Sequence, residues 1–124
     1  MIDLNDLKRI NDTYGHEKGN EAIIRLSEMV CDPFKHSMVF RIGGDEFAVI
    51  LLNKDFRNRD ALVVQIEGAL NGLRRNNTLP LWEQISAAIG LATYDPEKDT
   101  SIEDAFRRAD TRMYENKKRM KAKP

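Results

Sequence analysis

The 124-residue sequence has one cysteine, Cys31, only two histidines, and no apolar run near the eighteen residues of a membrane-spanning helix. We therefore expect no internal disulfide, no thiolate-based zinc site, no signal peptide and a reducing, cytoplasmic compartment. Twenty basic and twenty acidic residues cancel, so no overall field would hold nucleic acid or a membrane surface. Any anionic ligand must be bound by a local site, and any metal site must use oxygen ligands.

A balance of 41% hydrophobic and 32% charged residues is typical of one globular domain at this length, and we treat residues 1–124 as a single domain. The apolar pattern predicts strand, helix, strand, strand, helix, strand, helix. This β-α-β-β-α-β order with a C-terminal helix is typical of the ferredoxin-like α+β fold. In that fold, helices cover one face of an antiparallel sheet whose first and third strands lie side by side.

In the first half of the chain, the pattern predicts a helical turn from Asn5, a polar loop within residues 11–19, and a helix capped by Asn20. The apolar runs 38–42 and 47–52 predict a hairpin of two strands that are covered on both faces.

In the second half, we expect a helix capped by Asp60 and a strand over residues 85–94 with a helix packed on its small residues. A capping box at Ser101 predicts the start of the last helix, and residues 115–124 are interpreted as a basic tail.

Asp3 ends the first strand and Asp45 lies at the hairpin tip, so the fold predicts that these two carboxylates are close together. They would repel one another, and Arg41 and Lys8 are the cations expected nearby. A divalent cation with open positions for water and substrate would neutralise the pair, as in sites that act on nucleoside triphosphates. The alternative is that both are ordinary turn carboxylates.

Gly43 and Gly44 stand beside Asp45 in the same turn. Two glycines remove side chains where a phosphate or a base must approach the backbone closely. They equally permit the positive backbone dihedrals that tight turns use, and the sequence leaves both interpretations open.

Three segments carry a resemblance to the GGDEF family of diguanylate cyclases. The turn reads Arg41-Ile42-Gly43-Gly44-Asp45-Glu46-Phe47. The N-terminal segment from Asp3 to His16 is similar to the family pattern D-x-D-x-F-K-x-x-N-D-x-x-G-H, and residues 109–117 resemble A-D-x-A-M-Y-x-A-K. The resemblance spans nearly the whole chain in the family's order and spacing. It implies a palm-like sheet, as in nucleotide cyclases and polymerases, and condensation of two GTP into cyclic di-GMP.

The resemblance also implies roles for individual residues. Asp3 and Asp45, with the backbone carbonyl of Leu4, would bind Mg²⁺ or Mn²⁺. Asp45 would also be the base for the attacking ribose 3′-hydroxyl. Glu46 would assist the metal site or contact the partner nucleotide, and it is otherwise a strand-edge carboxylate.

Further matches concern the nucleotide. Asn11 matches the asparagine that hydrogen-bonds guanine, and His16 matches a residue near that pocket. The alternatives are a helix terminator and a structural loop histidine. Lys8, Lys117 and Lys121 match the basic residues that hold the triphosphate, although solvated lysines are the alternative and the family commonly has arginine at the last position.

The sequence departs from the family in three ways. The N-terminal helix, the D-x-L-T segment and part of the first strand are absent, so we expect lower stability or another chain filling the gap. Asn20 replaces an aspartate that accepts hydrogen bonds from guanine, which should weaken guanine recognition. The product-inhibition motif R-x-x-D is replaced by Phe34-Lys35-His36-Ser37, so cyclic di-GMP should not inhibit through that site.

The leading hypothesis is therefore a diguanylate cyclase domain that works as a homodimer with one GTP per half-site, driven by an N-terminal sensory or regulatory region of the parent protein. The alternative is a weak or inactive GTP-binding or interaction module derived from such a domain. A third hypothesis, an enzyme acting on a single nucleotide, is disfavoured by the match from Asn11 to His16. Neither nucleic acid nor membrane is an expected partner of this domain.

Overall fold

The computed structural model describes residues 1–122. The predicted strands and helices occur in the predicted order, together with additional helices. The strands are β1 (Ile2–Leu4), β2 (Met38–Arg41), β3 (Glu46–Ile50) and β4 (Ala87–Ile89). The helices are α1 (Leu7–Tyr14), α2 (His16–Cys31), α3 (Asn53–Arg57), α4 (Arg59–Arg74) and α5 (Ile102–Ala122), with a 3-10 turn over Leu81–Glu83. None of the helices within residues 1–122 combines the length and apolar character that crossing a membrane requires.

The four strands form one antiparallel sheet in the order β2-β3-β1-β4. This order confirms the ferredoxin-like prediction, including the side-by-side placement of the first and third strands. The register pairs Asp3 with Glu46 on one side and with Ala88 on the other. The end of β1 is therefore enclosed by two neighbouring strands, which fixes the direction of its side chains.

The sheet is covered by helices on both faces, so the prediction of a single covered face was wrong. Ile2, Leu4 and Phe47 point into the main core, which also holds apolar residues of α1, α2 and α4. The other face carries Ala88 of β4 and Gly90, which follows the strand, and α5 packs there. A Cβ on Gly90 would collide with the backbone of Ala109 and Met113 in α5, so the small side chains allow the close packing. The packing of a helix on this small face was predicted from the sequence.

The edge strand β2 is exposed on one face, contrary to the prediction that both faces of the hairpin are covered. Met38 and Phe40 remain 50% and 41% exposed. The reason is their distance from α5, which packs on β4 at the opposite edge of the sheet.

The predicted loop over residues 11–19 is mostly helical. Helix α1 continues to Tyr14, and α2 begins at His16 directly after Gly15, whose φ of 90° suits glycine. A single glycine is sufficient to separate the helices, and the polar residues between Asn11 and Tyr14 lie on the exposed side of α1. Asn20 is consequently an interior residue of α2 and not its cap.

Strand β4 ends at Ile89, well before the predicted end at Tyr94. Next to its end, Met1 and Gly90 exchange backbone hydrogen bonds at 2.9 Å in both directions. Beyond that point, the carbonyls of Leu91 and Thr93 accept hydrogen bonds from arginines of α5 instead of a strand.

The ends of the later helices also differ from prediction. The short helix α3 was not anticipated, and α4 begins at Arg59 after Asn58, so Asp60 is not its cap. At the start of α5, the backbone N–H and the hydroxyl of Thr100 both donate to Asp104. The predicted capping box had Ser101, one residue later, in the place of Thr100. Residues 115–122 of the predicted tail continue α5, and residues 123–124 lie outside the described part.

Candidate metal and nucleotide site

Three carboxylates meet at the junction of β1 and β3. One oxygen from each of Asp3, Asp45 and Glu46 lies within 4.8 Å of the other two. The register brings Asp3 opposite Glu46, and the Leu4 N–H donates to the Asp45 carbonyl at 2.8 Å, which fastens the turn to the end of β1. The predicted closeness of Asp3 and Asp45 is therefore confirmed, and Glu46 joins them.

Asp3 is the buried member of this acidic cluster. It is 5% exposed, and its Oδ1 has no hydrogen-bond partner among residues 1–122. Burial raises the pKa of Asp3, the Asp45 charge adds to the increase, and the hydrogen bond from Lys117 opposes it. Burial and the charges of Asp3 and Asp45 likewise raise the pKa of Glu46. An unpartnered buried oxygen beside two more carboxylates is a donor set that suits a hard divalent cation.

Lys117 of α5 is the cation that contacts the cluster, in addition to the nearby Arg41 and Lys8 that the sequence indicated. Its Nζ donates to Asp3 Oδ2 at 2.6 Å. Burial lowers the pKa of Lys117, but the hydrogen bond to Asp3 and the surrounding carboxylates raise it above its ordinary value overall. The family resemblance implied a triphosphate role for Lys117, and no sequence pattern indicated that it reaches Asp3, 114 residues away.

Arg41 hydrogen-bonds the backbone of the turn and not the carboxylates of the cluster. Its guanidinium donates to the carbonyls of Gly43 at 3.2 Å and Gly44 at 2.7 Å. Neither glycine has a positive φ, so the alternative that they serve left-handed turn dihedrals is wrong. A Cβ on Gly44 would meet no atom of residues 1–122 within 4 Å, and one on Gly43 would make only ordinary contacts with Glu46. The two glycines therefore leave open space above the turn.

A cavity of about 900 Å³ opens beside the acidic cluster, a volume in the range of small-ligand sites. Of the predicted site residues, it brings together Leu4, Lys8, Asp45, Lys117 and Lys121. Two further cations, Arg9 and Arg74, line it and were not identified from the sequence. Arg74 ends α4 and donates to the Met120 carbonyl at 3.3 Å. Its position depends on tertiary packing, and its only sequence signal was a place in the polar stretch that ends the helix.

The residues matched to guanine recognition lie outside this cavity lining. The Asn11 side chain packs against Gly19 so closely that a Cβ there would collide with it. His16 and Asn20 are exposed and four residues apart on α2, which puts them on one side of the helix. Asn11 and the first turns of α2 thus form a polar surface separate from the acidic cluster.

The segment at the position of the product-inhibition motif is engaged in the fold. Phe34 is buried in the core, and the His36 N–H and the Ser37 hydroxyl donate to Asp55 at 2.8 and 2.7 Å. These contacts give the segment a structural role.

Comparison with known proteins places these features in one family. The family profile described as "Diguanylate cyclase, GGDEF domain" matches residues 1–123. Diguanylate cyclase DgcP of Escherichia coli K12 is 32% identical over 125 residues, covering 100% of this chain and 36% of that protein. The chain thus spans about a third of the length of this relative.

Solved structures agree with this assignment. The active GGEEF domain of a diguanylate cyclase from Vibrio cholerae has a TM-score of 0.78 and 28% identity, covering 95% of this chain and 74% of that one. The GGDEF domain of DgcB from Caulobacter crescentus, solved in complex with c-di-GMP, has a TM-score of 0.78 and 25% identity, covering 94% and 69%. The sheet order, the acidic turn and these matches together identify the chain as a member of the GGDEF domain family of diguanylate cyclases.

Proposed function

We propose that this chain is a diguanylate cyclase domain, which condenses two GTP into cyclic di-GMP and two pyrophosphates. In each of two steps, a ribose 3′-oxygen forms a bond to the α-phosphorus of the other GTP, and the bond from that phosphorus to pyrophosphate breaks. The observation that carries the proposal is the cluster of Asp3, Asp45 and Glu46, with a buried unpartnered oxygen, beside a cavity rich in basic residues.

Asp3, Asp45 and the Leu4 carbonyl would hold Mg²⁺ or Mn²⁺, with Glu46 completing the acidic surroundings. Such an ion, when bound, neutralises phosphate charge and lowers the pKa of the attacking hydroxyl. Asp45 accepts the proton of the 3′-hydroxyl, because it lies at the exposed end of the cluster while Asp3 is buried. Glu46 alternatively contacts the partner nucleotide.

The chain's other candidate residues bind and orient the nucleotide. Lys8, Lys117 and Lys121 line the cavity and hold the triphosphate, and the open space over Gly43 and Gly44 lets it approach the turn. On the separate polar surface, Asn11 and Asn20 hydrogen-bond the guanine edge and His16 lies beside it. Asn20 recognises guanine more weakly than an aspartate, because its single oxygen carries no charge.

We further propose that two copies of the chain face one another to close the product ring. Within residues 1–122, each chain has one acidic cluster of this kind, with a cavity beside it, whereas the product joins two nucleotides through two phosphodiester bonds. Each copy therefore holds one GTP. Because the chain covers only 36% of DgcP, we assign control of this pairing to a regulatory region of the parent protein.

Identification of the product by mass spectrometry tests the proposal. The purified protein is incubated with GTP and Mg²⁺ beside Asp45→Asn, and beside Asn77→Asp as a folded control that changes an exposed loop residue. Cyclic di-GMP from the parent and from Asn77→Asp, but not from Asp45→Asn, is expected. Stabilisation by GTP and Mg²⁺ without any product would instead identify a GTP-binding module, and neither product nor stabilisation would contradict both functions.

A further inference from the structure

Lys117 forms an ion pair with Asp3, the buried member of the acidic cluster. Its Nζ donates to Asp3 Oδ2 at 2.6 Å, and the side chains of the pair are only 23% and 8% exposed. Within residues 1–122 it is the only cation that forms an ion pair with any of the three carboxylates. One ammonium therefore partly compensates three acidic groups that share a space of less than 5 Å.

The backbone of Lys117 is held in place, and its side chain borders both the acidic cluster and the cavity. The preceding residue, Asn116, accepts a hydrogen bond from the Ile89 N–H at 2.9 Å, which fastens this turn of α5 to β4. The Lys117 side chain lies along the boundary between the acidic cluster and the basic cavity, and it lines that cavity. A flexible four-carbon chain can turn from Asp3 to a phosphate in the cavity without any movement of the helix.

The ion pair has a direct consequence for a cation that approaches Asp3. Lys117 holds Oδ2 and leaves Oδ1 without a partner, so a cation can use only one of the two carboxylate oxygens while the pair is intact. A divalent ion at that position would also lie a few ångströms from the ammonium and be repelled by it. The phosphates of a bound nucleotide would reverse this effect, because they offer the ammonium an alternative anion.

We propose that Lys117 is a built-in counter-cation that competes with the divalent metal for Asp3 and is withdrawn by the nucleotide triphosphate. This inference rests on the proposed function, since it assumes a metal centre at the acidic cluster. It implies that the metal alone binds weakly, and that metal and nucleotide bind cooperatively because the nucleotide removes the competitor. Lys117 is thus a positioning residue that couples the two binding events.

The test is the affinity for Mn²⁺ alone, measured by calorimetry and by the electron paramagnetic resonance signal of free Mn²⁺. Lys117→Met is compared with the parent and with Lys118→Met. The control removes the same charge from the next residue, whose ammonium lies over the Tyr114 ring. We expect Lys117→Met to bind Mn²⁺ about tenfold more tightly, as for the loss of one competing charged hydrogen bond. Lys118→Met should match the parent.

The outcomes separate this inference from the proposed function. Equal or weaker Mn²⁺ binding by Lys117→Met would overturn the role of Lys117 and leave the metal centre standing. Absence of Mn²⁺ binding in every protein would overturn both. If Lys117→Met does not fold by circular dichroism, the parent labelled with ¹³C-lysine decides. Mg²⁺ must then shift the Lys117 Cε signal, and an unchanged signal at saturating Mg²⁺ would contradict the competition.

Discussion

Asp3 lies directly opposite Glu46 in the antiparallel pairing of β1 with β3. Residues at such positions share one face of the sheet, and like charges there destabilise it. Asp45 adds a third carboxylate within 4.8 Å, and Lys117 neutralises only part of the charge. The metal-free protein therefore carries unfavourable electrostatic energy at this point, which a bound divalent cation would relieve.

Glu46→Gln should stabilise the protein when metal is absent. Removing one of two opposed charges is worth about 0.2 to 1 kcal/mol, which raises the melting temperature by a few degrees at most. The measurement is thermal unfolding in a chelator and again in millimolar Mg²⁺. Glu115→Gln, at an exposed position of α5, is the control for loss of the charge alone. A larger stabilisation by Mg²⁺ in Glu46→Gln than in the parent would contradict this account.

Gly19→Ala should separate nucleotide binding from stability. Alanine normally stabilises a helix interior by about 0.5 to 1 kcal/mol relative to glycine, but here the new Cβ displaces the Asn11 side chain. Asn11 is flexible enough to yield, so we expect stability within about 1 kcal/mol of the parent and weaker GTP binding.

The matched control is Gly72→Ala in α4, where a Cβ meets no atom of the described chain within 4 Å. It should raise the melting temperature and leave GTP affinity unchanged. Equal GTP affinities in the two variants would show that Asn11 does not contact the nucleotide.

Asn20→Asp should sharpen the recognition of guanine. The side chain is exposed on α2, so the substitution has little effect on the fold, and its added charge strengthens hydrogen bonds from the guanine edge. We expect the preference for GTP over ITP, which lacks the exocyclic amine, to rise about tenfold in competitive binding. Asn77→Asp adds the same charge in an exposed loop. An unchanged preference in Asn20→Asp would exclude this residue from the guanine site.

The sequence predicted the sheet and its acidic turn because both depend on local patterns. Two apolar runs, two glycines and the flanking Asp45 define a hairpin, and the strand order then follows from the fold class. Helix boundaries were harder to predict. The polar residues after Asn11 were interpreted as a loop. They lie instead on the exposed face of α1, and the helix ends only at Gly15.

The contacts made by α5 could not be predicted from local patterns. Lys117 is far from Asp3 in sequence, and their ion pair forms where α5 packs closely on the sheet at Gly90. The small residues of the fourth strand predicted that a helix packs on that face, but not that this helix is α5. The roles of Gly43 and Gly44 also needed the backbone geometry, since their φ values excluded one of two explanations.

The ion pair between Asp99 and Arg108 should make stability depend on acid pH. The hydrogen bonds from Arg108, with one from the Asp95 N–H, lower the pKa of Asp99 from 3.8 to about 2. A carboxyl whose pKa is lower in the folded state contributes its stability above about pH 4 and loses it as the pH falls toward 2. Unfolding midpoints in urea across this range measure the effect.

Asp99→Asn and Arg108→Met should each lower stability at neutral pH and flatten its decline between pH 4 and 2. Because the two side chains form one interaction, the double variant should be much less destabilised than the sum of the single variants. Additive effects, or a decline in Asp99→Asn as steep as in the parent, would show that this pair does not anchor the start of α5.

The central claim is that Asp3, Asp45 and Glu46 form the divalent metal centre of a cyclase, and locating a metal ion tests it most directly. Crystals grown with Mn²⁺ and a non-hydrolysable GTP analogue are measured at a wavelength where manganese scatters anomalously. The account predicts an anomalous peak bound by Asp3 and Asp45, with Lys117 moved from Asp3 to the triphosphate. A bound nucleotide with no peak at these carboxylates, and with Lys117 still paired to Asp3, would contradict it.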